Sequence, residues 1–195
     1  MGEEQLKVFS KLNKLQEGLF KEFIDYWVQY SSPATWQFWF NFFMLVIPLI
    51  VLFFKIDRRK ALLLGFYGFN IHVWFTYLDS LFVRIGFISY PYHTIPILTA
   101  NIGLDASLIP VLFIFLYQWV LNKKKNYYLY AIGLSVLLAF VFKPYLVVFN
   151  LFQLHKGTNY FHLFLVYVVV LVISKLITNL FVYLEKNGKK KRRGM

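Results

Sequence analysis

Cysteine is absent from the 195 residues. That excludes a disulfide framework, thiolate metal ligation and a cysteine nucleophile. Acidic residues are scarce as well, 9 against 21 Lys and Arg, which leaves a formal net charge of +12. In a soluble domain such a balance would point to nucleic acid, because clustered Lys and Arg neutralise phosphates. Here the basic residues concentrate in short segments between apolar runs and in the C-terminal tail, so no nucleic-acid partner is expected. The catalytic signatures GxSxG and HExxH, a P-loop and a dinucleotide fingerprint are all missing, as is the GxxxG of close helix dimers. An enzyme is not expected, and no cofactor is implied.

What the chain has in quantity is apolar surface. Hydrophobic residues make up 59% of it and aromatic residues 22%, with a mean hydropathy of +0.56. A soluble core of this length cannot hide so much, so the lipid bilayer must be the second solvent. Much of the Tyr and Trp sits at the ends of apolar runs, where rings settle at headgroup level. The expected fold is all-α, a polytopic transmembrane bundle of about five spans preceded by an amphipathic helix.

Residues 1–34 form the N-terminal arm. Leu6, Phe9, Leu12, Leu15, Leu19, Phe23 and Trp27 recur three or four apart, with Lys7, Lys11, Lys14, Glu17, Lys21 and Glu22 mostly between them, which is helical amphipathicity. Such a face suits either the membrane interface, a docked partner or the rim of the protein itself. The arm lacks the layout of a cleavable signal, so the first apolar run is expected to stay as an anchor. Ser32 is placed to cap the next helix, with Pro33 in its first turn.

The transmembrane domain, 35–184, divides into spans over 35–54, 61–82, 97–121, 127–149 and 160–184. The first, TWQFWFNFFMLVIPLIVLFF, carries no charge and is about long enough for the roughly 30 Å of hydrocarbon. Pro48 inside it predicts a kink, and the second span is the least hydrophobic. The basic segments 55–60, 123–125 and 186–193 alternate with loops 85–96 and 150–159. Short-loop Lys and Arg stay cytoplasmic, so five spans place the C-terminus inside and the N-terminus outside a cell membrane, with a reversed or four-span arrangement as the alternative. The tail, 185–195, offers Lys189, Lys190, Lys191, Arg192 and Arg193 to an anionic leaflet at roughly 1 kcal/mol each. A protein partner or a homo-oligomer is compatible with the arm and the tail.

Ionisable groups inside spans cost about 2.5–3.5 kcal/mol on insertion scales, so each needs a local reason. Asp105 is the most informative, roughly 12–15 Å along the third helix and too deep to snorkel. Asn101 lies one turn earlier, Thr94 and Thr99 continue the polar strip, and Pro110 beyond leaves a backbone carbonyl without its donor. The second span adds His72 and Asp79 on one face and Arg84 near the end, where water would reach Asp79 and Arg84. The candidate intramembrane site is therefore Asn101, Asp105, Asp79 and His72 with either Arg84 or Lys143, read either as a site for a cation, proton or small solute, or as a cluster that fixes helix register. Outside that role Lys143, like Lys175, is read as a lysine that snorkels out of its span. Ala131, Ser135 and Ala139 form a small-residue stripe suited to internal packing or to a dimer seam. His93, His155 and His162 share the outer end without metal-ligand spacing, and no metal is expected.

The stretch from the second into the third span carries Asp79-Ser80, Tyr90-Pro91, Pro96, Asp105, Pro110 and Tyr117-Gln118, and the last loop carries Lys156-Gly157 ahead of Tyr160-Phe161-His162. These resemble a family of uncharacterised small multi-pass membrane proteins of spore-forming Firmicutes. Thr158 stands where that family has Trp, and Lys143 where it tends to carry acids. The resemblance implies an integral-membrane protein and no established activity. The resulting expectation is a non-enzymatic membrane component or subunit, with a small carrier or channel using the Asp105 region as the alternative.

Overall fold

The computed structural model describes residues 2–98 and 100–193, with side chains as far as 188. Helix α1 (Glu3–Tyr30) is followed by α2 (Trp36–Lys55), α3 (Ala61–Ile85), α4 (Ile109–Lys123), α5 (Tyr127–Leu137), α6 (Lys143–Val148) and α7 (Tyr160–Arg193). The only strands among the described residues are β1 (Ile88–Ser89) and β2 (Gln153–Leu154), an antiparallel ribbon pairing Ile88 with Leu154. The fold is an all-α helical bundle.

Five helical stretches are long and apolar enough to cross a membrane: Trp36–Lys55, Arg58–Ile85, Gly103–Lys123, Tyr127–Val148 and Tyr160–Gly188. By length and composition this is a membrane protein. The second is the least apolar, with a mean hydropathy of 1.2 against 1.8 to 2.3 for the others. Phe54, Leu62, Leu129 and Val148 turn outward and are largely exposed, a surface that suits lipid and would be a liability in water.

The third span begins at Gly103, six residues later than the apolar run beginning at 97 predicts. Asn101 explains the delay, because its side-chain Oδ1 accepts the Leu104 N–H and its carbonyl accepts those of Leu104 and Asp105. Those groups cap the helix start, so the preceding apolar residues form loop. Helix α2, the first span, likewise departs from expectation. Ser32 does not cap it; the helix starts at Trp36 after Thr35, whose hydroxyl donates to the Ser32 carbonyl.

Two spans are interrupted by π-helical turns, Gly103–Leu108 and Leu138–Phe142, each with Pro shortly after it. The Ile109 N–H reaches back five residues to the Leu104 carbonyl, and the Lys143 N–H reaches back five to Leu138. At that offset the next residue, Pro110 or Pro144, is the one with no N–H to give, so proline and π turn form one device.

The core joins α3, α4 and α7 through Leu64, Ile71, Phe75, Phe113, Tyr167 and Leu171. Ala131, Ser135 and Ala139 are all buried, which makes their stripe an internal packing surface. One end of the bundle is closed by the ribbon, with the His155 N–H donating to the Phe87 carbonyl. At the other end Gln118 bridges two segments, accepting the Asp57 N–H at 2.7 Å and donating to the Lys55 carbonyl at 3.1 Å, while Lys60 reaches Asn122. The basic segments around 55–60 and 122–125 thus share one end, and loops 86–102 and 149–159 share the other.

Helix α1 stands apart. None of its 28 residues is buried. Its C-terminal end is tied to loop 86–102 by the Trp27 indole N–H, which donates to the His93 carbonyl at 2.8 Å, and by the His93 N–H, which donates to Ser31 Oγ at 3.3 Å.

Candidate intramembrane polar site

Tyr90 lies just past β1, in a loop that folds back over the bundle end. Its hydroxyl accepts a hydrogen bond from Lys143 Nζ at 3.0 Å and donates one to Asp79 Oδ1 at 2.7 Å. The chain from ammonium to hydroxyl to carboxylate has one consistent polarity. Lys143 Nζ also sits 3.9 Å from the centre of the Phe152 ring and 5.1 Å from that of Tyr90, so aromatic faces take the place of its lost hydration.

All of this is shielded from water. Asp79 is 6% exposed, Tyr90 5%, Lys143 2% and Asp105 1%. Two expectations are thereby corrected. Lys143 does not snorkel: the π turn ending on it inserts an extra residue, which rotates the following face by roughly 100° and brings the amine inward. Asp79 is not at a solvated helix end either: it is buried, with the Tyr90 hydroxyl bonded to it and Ile88 of the end loop beside it. Lys175 is also held inside its span, donating to the Tyr117 hydroxyl at 2.7 Å beside a pair of hydroxyls, Tyr67 and Tyr127, 2.6 Å apart.

Asp105 sits within the first π turn. It is in electrostatic reach of Asp79 and Lys143, yet neither of its carboxyl oxygens has a hydrogen-bond partner. Asp79 Oδ2 and the Tyr167 hydroxyl are buried without partners as well. His72 is linked to Asp105 through the backbone, its Nδ1 lying 2.8 Å from the Asp105 carbonyl. That carbonyl is the one Pro110 leaves free, so His72 supplies the missing donor with Nδ1 carrying the proton.

Of the five residues expected at the site, Asp105 and Asp79 come together and His72 supports them from behind. Asn101 belongs to a neighbouring contact: its Nδ2 donates to Asn41 Oδ1 at 2.6 Å, which fastens α2 to the helix start. Ser107 does the same one turn on, donating to the Leu45 carbonyl at 2.6 Å. Arg84 is exposed and takes no part. Thr99 and the side chains of Lys189, Lys190, Lys191, Arg192 and Arg193 lie outside the described residues.

Sequence reasoning missed Tyr90, Tyr167 and Asn41, and named Lys143 only as the alternative to Arg84. The signal at Lys143 was a lone charge beside Pro144 in an otherwise charge-free run. Tyr90 lies outside the spans, and its phenol is raised well above the usual range, first by burial and then by the charges of Asp79 and Asp105. It therefore stays a hydroxyl and keeps its donor role. His155 and His162 are occupied elsewhere, His155 Nε2 with Ser89 Oγ at 2.8 Å and His162 Nδ1 accepting the Asn159 N–H at 3.2 Å.

A cavity of about 20 Å³ borders Asp79, Lys143 and Tyr167, which is room for one water. It shares Leu78, Phe82 and Val166 with a groove of about 390 Å³ between α3 and α7 that opens at Lys156, Thr158 and His162. The chain matches no family model, no curated protein and no solved structure.

Proposed function

We propose that the protein is a non-enzymatic component of the cell membrane that engages a partner subunit through α1, with its C-terminus in the cytoplasm and its N-terminus outside. The observation that carries this reading is the unpartnered apolar face of α1. Leu6, Phe9, Leu12, Leu15 and Leu19 are all more than half exposed on a 28-residue helix that meets the bundle only at its end. A helix of that length keeping such a stripe has a second surface to bury it against, and four lysines with five acids along it make a polar face of nearly balanced charge. The resemblance to the small multi-pass family of spore-forming Firmicutes is part of the same proposal.

Affinity purification from native membranes in mild detergent tests it. A stoichiometric partner that is lost when Leu12 and Leu19 are both replaced by Glu supports the subunit reading. A lone oligomer, unchanged by that pair, defeats it.

The second reading, a small carrier, is favoured by the donor-free carboxyl of Asp105. The cluster is buried, however, and borders a cavity only the size of one water, which suits a structural role better than a solute conduit. Solute flux in proteoliposomes that disappears in Asp105→Asn while the folded yield is kept would reverse this preference.

A further inference from the structure

Counting charge around Asp105 leads further. The titratable groups facing it come from every element that packs there: Asp79 from α3, Tyr90 from the end loop, Lys143 from α6 and Tyr167 from α7. His72, also on α3, has its Nδ1 proton committed to the Asp105 carbonyl. Helix α2 contributes only the neutral Asn41, already bonded to Asn101. Two carboxyl groups therefore share a single amine. Lys143 and Asp79 are joined through Tyr90, and Asp105 is left with no donor on either oxygen.

A carboxylate in that position, 1% exposed and with no protein donor on either oxygen, has little to hold its charge. In an apolar interior such a group neutralises in preference to standing as a bare ion. A metal cation is a poor neutraliser here, because it wants about six oxygen ligands and the ammonium of Lys143 would repel it. A proton needs no such shell, because it binds directly to a carboxylate oxygen, and both oxygens of Asp105 and Oδ2 of Asp79 have no other donor.

We infer that Asp79 and Asp105 together hold one bound proton in the membrane interior, with Lys143 balancing the second carboxylate. The site is a membrane-embedded proton-binding site, whether or not the chain has a partner subunit. The small cavity at Asp79, and the groove it adjoins, lie towards the end closed by the β ribbon, so exchange with water takes place from that side. Towards the basic-loop end, Leu64, Tyr67, Phe113 and Tyr117 fill the core.

The proposal fixes a proton count for each variant, readable by infrared spectroscopy of the purified chain in lipid nanodiscs at neutral pH. A protonated carboxyl shows a carbonyl stretch that shifts in heavy water. Wild type is expected to show one such group per chain and Asp105→Asn none. Lys143→Met, which removes the only counter-charge, should show a twofold increase over wild type. Absence of the band from wild type overturns the proposal, and this measurement needs no variant to fold. Survival of the band in Asp105→Asn, or an unchanged band in a folded Lys143→Met, overturns it equally. Loss of the wild-type band on replacing choline chloride by sodium chloride at fixed pH would assign the site to a metal cation instead.

Discussion

Tyr90 is the side chain through which the two charges of the cluster meet. Removing its hydroxyl leaves Lys143 without a hydrogen-bond partner and Asp79 with neither oxygen bonded. Each buried polar group so abandoned costs about 1–3 kcal/mol. Tyr90→Phe should therefore lower thermal stability in detergent well beyond the effect of Tyr92→Phe in the same loop; equal shifts would refute the bridge. Two glycines separate rigid from yielding contacts in the same way. A methyl group at Gly103 would lie 2.8 Å from the Asn41 carbonyl oxygen, which is backbone of α2 and cannot swing away. At Gly68 the obstacle is the tip of Ile114, 2.2 Å away. Both Gly→Ala changes should destabilise, by about 1–3 kcal/mol for overpacking. Ile114→Ala should relieve the defect at Gly68 in a double-mutant cycle and leave that at Gly103 untouched.

The helical elements were legible to different degrees for physical reasons. The five apolar helices could be read because lipid demands an uninterrupted apolar run of a given length, and composition records that directly. A π turn leaves no such record. It changes one hydrogen-bond offset and rotates everything after it, so Lys143 read as a lysine bound for the interface when it is the counter-charge of Asp79. Asp79 was misplaced for a related reason: counting along α3 gave its depth, while the loops that cover it come from 86–102 and 149–159, far away in sequence. The junction of α1 with the first of these loops has its own testable behaviour. Burial lowers the pKa of His93 below its usual value, against weaker opposing pulls from backbone hydrogen bonds, so the folded joint prefers the neutral ring. Its stabilisation is complete above the unfolded value of about 6.5 and is lost as pH falls through the lowered folded value. Spin labels at Glu17 and Ile95 should report α1 becoming mobile on acidification, and His93→Gln should abolish that response.

At the scale of the whole molecule the positive charges and the fold make a joint statement about sidedness. Gln118, with Lys60 and Asn122, gathers two of the basic segments at one end, while the ribbon and the Trp27 to His93 contact place loop 86–102 and the foot of α1 at the other. The positive-inside rule then turns an end of the bundle into a side of the membrane. The absence of native cysteine makes this directly measurable, since any introduced thiol is the only one in the chain. A membrane-impermeant maleimide applied to intact cells should label Glu17→Cys and Ile95→Cys, and should reach Arg59→Cys and Lys124→Cys only after permeabilisation. The converse pattern would reverse the orientation without disturbing the fold. Labelling of Arg59→Cys and Lys124→Cys from opposite sides would instead break the bundle itself, because the Lys60 to Asn122 contact requires both segments in the same aqueous compartment. If the expected pattern is found, the groove beside Lys156 and His162 faces outward, and it is external pH that reaches the carboxyl pair.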